Sequence, residues 1–195
     1  MTDLETRLAE LFEPARGAAV EALLKAMAGA IGSDAEVDAE PVRQSPDGQI
    51  ERFGPLSLPE RGDLSVSRAG RRLVRRIEEP GLPEFEPVSV VFDGGFTCVV
   101  SPFRWSNCEV IIDAMQPKPD WGPLRRWFIE WFQPRVSDVA PDLAGVVHRL
   151  EGPEPVGPAW RAALDLGSAP VRAATDLIPA VMQSGALRMR FATLE

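Results

Sequence analysis

An apolar helix face between Trp121 and Phe132 constrains the fold of this 195-residue chain more than any other stretch. Its large side chains recur at helical spacing, so they share one face, while the charged residues between them fall on the other. Pro123 suits a first helical turn, and Pro134 stops the helix. Burying each such side chain contributes about 1.5–3 kcal/mol, so we predict that this helix packs on a sheet as a main part of the core. The apolar residues are Leu124, Trp127, Phe128, Trp131 and Phe132.

Strand patterns surround this helix from residue 87 onwards. Residues 88–92 and 96–100 flank an Asp-Gly-Gly turn, which predicts a hairpin. A second helix is predicted over residues 170–184, with Ser168 as its N-cap. We therefore predict an α+β fold, in which a mostly antiparallel sheet of about six to eight strands carries two helices on one face. The remaining strands are predicted at residues 108–114, 143–150, 160–166 and 187–193.

Two topologies are open for this sheet. The Pro-Leu-Arg run at residue 123 and the Pro-Val-Arg run at residue 170 each open a helix after two strands, which is typical of duplicated ββα units. The order of elements from residue 109 to residue 193 is also β-α-β-β-α-β, the order of a ferredoxin-like fold.

The chain divides into three segments that we expect to form one globular unit. Residues 1–32 are predicted to be an N-terminal helical arm, with a break near Pro14 and Gly17. Residues 33–86 are predicted to be an acidic, proline-rich connector with short strands, and residues 87–195 the α+β core.

The apolar stripe of the arm predicts that the arm docks on something, because an isolated helix of this length is marginal in water. Several strands, such as residues 88–92, look apolar on both faces. The arm is therefore expected to cover part of the second sheet face. It docks either on its own chain or on a second copy, and we favour a homodimer.

The acidic composition limits the classes of partner. A net charge of −8 argues against a nucleic-acid binder, which needs a basic surface, and against binding to anionic membranes. The sequence contains no long apolar run, its N-terminus is acidic, and its two cysteines do not make a disulfide scaffold. We therefore expect a cytoplasmic protein with a protein partner, a basic one by charge.

Two groups of residues are candidates for a binding surface. Residues 61–76 hold six arginines and one aspartate, which predicts either an anion site or a set of ion pairs and edge-strand charges. Tryptophans beside strands are candidates because this residue is enriched at binding hot spots. The binding candidates are Trp105, Trp121, Trp160, Arg71, Arg72 and Arg75.

His148 is the only histidine, so any imidazole chemistry in this chain must use it. As a general base it needs a carboxylate partner, for which Asp142, Asp113 and Asp165 are the candidates. The alternative is a structural histidine, since it shares a strand face with apolar residues, and the aspartates at strand ends also suit capping roles. Cys108 lacks an identifiable base. No second histidine or C-x-x-C pair is present, so neither a metal site nor a cofactor is predicted.

Two functions follow. The element order, with one helix, three strands, a helix, two strands and a helix, is similar to that of class I type III secretion chaperones, which are small, acidic, dimeric binders of secreted effectors. The insert at residues 33–86 and the last strand depart from it. We expect a non-enzymatic protein-binding module, namely a chaperone, an adaptor or an immunity-type inhibitor of a basic partner. The alternative is a small hydrolase or isomerase that uses His148 with a nearby aspartate.

Overall fold

The computed structural model confirms the predicted α+β fold. It describes residues 3–31, 36–68, 71–75, 77, 81–114, 118–133 and 143–193. The helices are α1 (Asp3–Ile31), α2 (Gly122–Phe132) and α3 (Val171–Gln183). The strands of the connector are β1 (Glu36–Ala39), β2 (Arg52–Phe53), β3 (Leu58–Pro59), β4 (Leu64–Arg68) and β5 (Arg71–Arg75). The strands of the core are β6 (Val88–Val91), β7 (Thr97–Val100), β8 (Cys108–Ala114), β9 (Arg149–Val156), β10 (Ala159–Asp165) and β11 (Ala186–Thr193).

A six-stranded sheet with the order β6-β7-β11-β8-β10-β9 forms the centre of the fold. Every neighbouring pair is antiparallel except β7 and β11, which are parallel. The four strands from β8 to β11 have the order and directions of a ferredoxin-like sheet, with β6 and β7 added at one edge. The two proposed ββα units are not equivalent, because β11 separates β7 from β8 whereas β9 and β10 are neighbours.

All three helices contribute to one core on a single face of this sheet. Along β8 the buried residues alternate with half-buried or exposed ones, and Met189 and Phe191 of β11 point to the same side. The ring of Phe12 in α1 packs against the ring of Phe191 at a centroid distance of 5.1 Å. The predicted docking of the arm on the second face is therefore wrong. That face needs no cover because charged residues occupy it, including Asp113 opposite Arg188.

Helix α1 is continuous, so the predicted break is wrong. Pro14 lies inside a 29-residue helix. Leu8, Phe12 and Ala15 are buried in the main core on both sides of the proline, and this burial offsets the hydrogen bond that Pro14 removes. The end of α1 packs on a second small core with Leu64, so the arm lies on its own chain in this structure.

The segment before β9 departs from the predicted strand at residues 143–150, since β9 begins at Arg149. Residues 145–148 are buried, but their backbone groups bond outside any strand ladder. The N–H of Val147 donates to the carbonyl of Trp131, and the N–H of His148 to that of Asp165. Ser168 is likewise not the N-cap of α3, because its hydroxyl accepts the N–H of Gly145 at 2.9 Å.

The aromatic face of α2 is core, as predicted. Trp127 and Phe128 are buried, and the indole N–H of Trp127 donates to the carbonyl of Ala173 at 2.8 Å. We expect Trp127→Ala and Phe128→Ala each to lower the free energy of unfolding by about 3–5 kcal/mol, because each leaves a large cavity. Urea unfolding measures the loss, with Ile129→Ala on the exposed side of the same helix as the control. Losses below about 1 kcal/mol would show that this face is not core.

Candidate functional site

His148 lies among three carboxylates in the interior of the fold. Its side chain is 1 % exposed. Nε2 is 2.8 Å from Oε1 of Glu40, and Nδ1 is 3.1 Å from Oδ1 of Asp63 and 3.6 Å from Oδ2 of Asp165. Asp165 is one of the three candidate aspartates, whereas Glu40 and Asp63 come from the predicted connector. We call these four residues the His148 cluster.

Glu40 is the most constrained member of the cluster. Its side chain is fully buried, and its backbone has φ = 53°, in the left-handed region that glycine favours. Besides His148, its carboxylate accepts the N–H groups of Ala144 at 2.7 Å and Ser168 at 3.0 Å. These contacts offset the strained backbone and fix the start of the connector against the loop before β9.

Backbone groups also orient the two aspartates. The N–H of Ile77 donates to Oδ2 of Asp63 at 2.9 Å, and the N–H of Gly167 donates to Oδ1 of Asp165 at 2.9 Å. The second oxygen of each carboxylate therefore faces His148. Gly167 has φ = 51°, and a Cβ at this position would collide with the imidazole ring, so the site requires glycine here.

The cluster holds its charges by mutual stabilisation. Burial alone would lower the pKa of His148, but the charge of Asp165 and hydrogen bonds to all three carboxylates together raise that pKa well above its usual value. Burial opposes ionisation of Glu40, yet the contacts with His148, Ser168 and Ala144 leave its pKa below the usual value. The arrangement therefore favours an imidazolium beside ionised Glu40.

The space beside the imidazole is small. A cavity of about 30 Å³ borders His148, Asp63, Asp165 and Ser106, with α1 as its far wall. A water molecule needs about 10–15 Å³ of such volume, so the cavity accommodates water or an ion and no organic substrate. The cluster joins the connector to the core, and both ring nitrogens of His148 face carboxylates.

The other catalytic candidates are not brought to this centre. Asp113 is exposed at the end of β8, and Asp142 lies outside the described residues. Cys108 is fully buried, and burial together with the charge of Glu109 raises its pKa well above the usual value. A thiol in that environment stays protonated, which disfavours a nucleophilic role.

The predicted binding residues are only partly at the surface. Trp105 is fully buried in the main core, so its proposed surface role is wrong. Trp121 and Trp160 are half-buried and pack edge to face at a centroid distance of 5.4 Å. Arg71 and Arg72 lie on β5, and the structure describes only their backbone. Arg75 is exposed and borders a pocket of about 250 Å³ that also includes other arginines and both aspartates of the His148 cluster.

A larger groove lies between the β2–β3 ribbon and β9. Its volume is about 780 Å³, and Phe53 and Trp160 supply aromatic surface within it. Arg43 stacks over Phe53 at 4.7 Å and pairs with Glu60 at 3.2 Å. Burial raises the pKa of Glu60 although Arg149 and Arg43 are near. We call this surface the ribbon groove.

Sequence reasoning missed Glu40 and Asp63 because they resemble the other carboxylates of the connector. Glu40 follows acidic residues at every second position, which is typical of an exposed strand. The one available signal was Pro41 immediately after it, which restricts the backbone of Glu40 but says nothing about burial. The burial of Glu40 depends on residues about 100 positions away, such as Ala144 and His148.

The comparisons with known proteins give no relative. No known protein family, characterised protein or solved structure matches this chain. The similarity to the secretion chaperones therefore stays one of element order alone. Within the described ranges, none of the helices is both long and apolar enough to cross a membrane.

The burial of Glu40 predicts a large effect on stability. Glu40→Ala leaves the imidazolium of His148 without one partner and leaves the N–H groups of Ala144 and Ser168 without acceptors. We expect this variant to lose about 3–5 kcal/mol in the free energy of unfolding. Glu36→Ala, at an exposed position on β1, is the matched control and should change it by less than about 0.5 kcal/mol. Equal losses in the two variants, measured by urea unfolding, would contradict the role given to Glu40.

Proposed function

We propose that this chain is a non-enzymatic protein-binding module, and that the ribbon groove binds an extended, basic segment of its partner. The observation that supports this most is the groove itself, which places the aromatic surfaces of Phe53 and Trp160 beside glutamates. Aromatic side chains dominate binding energies when a partner buries them, and carboxylates beside them select for lysine or arginine.

The charge of the chain favours a basic partner. Three glutamates border the groove, and each pairs with an arginine, namely Glu60 with Arg43, Glu151 with Arg149 and Glu154 with Arg161. Burial and the charge of Glu151 raise the pKa of Glu60, whereas Arg149 and Arg43 lower it. A cationic side chain from a partner would favour the ionised form of Glu60, and the net charge of −8 would accelerate the approach of a basic protein.

The chemistry of β9 limits how the segment binds. β9 is an edge strand, but Pro153 and Pro155 within it lack the N–H groups that strand addition needs. The partner segment therefore binds through side-chain contacts with aromatic and proline surfaces. The resulting interface depends on the positions of the ribbon and β9 relative to each other.

The hydrolase or isomerase alternative has less support. Both ring nitrogens of His148 face carboxylates, and the ring is 1 % exposed. A general base must reach the proton that it removes, and the cavity at this ring is too small for an organic substrate. A role for His148 in the structure fits these observations better than a role in proton transfer.

A peptide-binding measurement tests the proposal. Fluorescence anisotropy is recorded with a library of short labelled peptides rich in arginine, lysine and proline, and with the same library in which glutamate replaces the basic residues. We expect binding of the basic library only, and a loss of at least about tenfold in affinity for Phe53→Ala, which corresponds to about 1.4 kcal/mol. Glu60→Gln should reduce the preference for basic over acidic peptides.

The control variant is Leu187→Ala, which removes an exposed apolar side chain outside the groove. It should bind the basic peptides as the unmodified chain does. Equal affinity for basic and acidic peptides, or unchanged affinity in a folded Phe53→Ala variant, would contradict the proposal.

A further inference from the structure

We propose that Asp63, His148 and Asp165 form a binding site for one zinc ion. One donor atom from each of the three residues lies within 4.8 Å of the others. Imidazole nitrogen and carboxylate oxygen are both ligands of Zn²⁺, whereas Ca²⁺ and Mg²⁺ prefer oxygen alone. This site is separate from the ribbon groove and does not depend on the peptide-binding function.

The distances between the donor atoms fit a shared metal ion. Ligand atoms about 2.1 Å from a tetrahedral zinc lie about 3.4 Å from one another. Nδ1 of His148 is 3.1 Å from Oδ1 of Asp63 and 3.6 Å from Oδ2 of Asp165. Both distances from Nδ1 are within a few tenths of an ångström of that spacing, and one donor oxygen of each aspartate lies within 4.8 Å of one from the other. The ion would take the place of the proton on Nδ1, which leaves to solvent.

The surroundings of the three ligands are those that a metal site needs. A histidine that binds a metal through one ring nitrogen generally donates the other N–H to a carboxylate, and Nε2 of His148 faces Glu40 at 2.8 Å. The N–H groups of Ile77 and Gly167 hold the distal oxygens of the two aspartates. Each ligand therefore has a second contact that fixes its orientation.

The cavity at the ligands supplies room and a further donor. It is bordered by all three ligands and by Ser106, with a volume of about 30 Å³. The hydroxyl oxygen of Ser106 is buried and has no hydrogen-bond partner among the described residues. A water molecule on the metal would donate to this oxygen and complete a four-coordinate site.

The electrostatics point in the same direction. Carboxylate oxygens of Glu40, Asp63 and Asp165 face the one imidazole of His148 at 2.8, 3.1 and 3.6 Å. Exchange of one imidazole proton for a divalent cation adds one unit of positive charge beside these carboxylates.

The imidazole ¹⁵N signals of the full-length protein test this site directly. Because His148 is the only histidine, its two ring nitrogens give unambiguous signals. After treatment with a chelator, addition of one equivalent of Zn²⁺ should shift the Nδ1 signal, and the same amount of Mg²⁺ should not. An Nδ1 signal that stays in place would overturn the proposal, whether or not zinc binds elsewhere on the acidic surface.

Calorimetric titration with Zn²⁺ tests the two aspartates. Asp63→Asn and Asp165→Asn should each weaken zinc binding by more than about tenfold, while Asp113→Asn, an exposed carboxylate on β8, should leave it unchanged. Wild-type affinity in folded Asp63→Asn and Asp165→Asn variants would overturn the ligand set. If either variant fails to fold, the ¹⁵N measurement on the unmodified chain decides. Peptide binding is measured separately in the groove, so failure of one proposal leaves the other standing.

Discussion

The contact between Glu40 and His148 is the interaction on which the arrangement of this protein depends. It joins two residues that are 108 positions apart, and each favours the charged form of the other in the interior. Around it, the connector and the core exchange backbone hydrogen bonds, including Arg61 N–H to the carbonyl of His148. Desolvation offsets much of the attraction in a buried pair of this kind, so its net contribution to the free energy of folding is small. Its main effect is to constrain where the connector lies relative to the core.

The geometry of the ribbon groove depends on the contact between Glu40 and His148. One wall of the groove consists of residues 43–60, which lie between Glu40 and Arg61 in the chain. Both ends of this segment are fixed near the His148 cluster. The other wall of the groove begins at Arg149, the residue after His148. The guanidinium of Arg61 also stacks over Phe132 at 4.7 Å, which connects the cluster with the end of α2. Both walls of the groove are therefore close in sequence to members of the His148 cluster.

The sequence predicted those elements whose local pattern and tertiary role agree. The five apolar residues of α2 and the apolar run at residues 108–114 predicted the correct elements, and one face of each element is buried on the core. The prediction of a break in α1 was wrong because burial of side chains on both sides of Pro14 outweighs the local effect of proline. Residues 143–148 look like a strand, but the N–H groups of residues 145–148 bond to Ser168, Trp131 and Asp165.

The candidate site was half predictable. His148 and Asp165 could be chosen from the sequence because one is the only histidine and the other ends a predicted strand before a helix. Glu40 and Asp63 could not, since a buried carboxylate and an exposed one have the same local sequence when the burying segment lies far along the chain. Asp63, His148 and Asp165 come from three separate segments, so their proximity could not be read from the spacing of residues along the chain.

Glu40 and His148 stabilise each other in this structure, and a double-mutant cycle measures this coupling directly. The free energy of unfolding is determined in a chelating buffer for the unmodified chain, Glu40→Gln, His148→Gln and the double variant. The structure predicts a coupling energy of about 2 kcal/mol, with the double variant less destabilised than the sum of the single ones. Additive effects, within about 0.5 kcal/mol, would show that the two residues act independently and that their contact does not stabilise the fold.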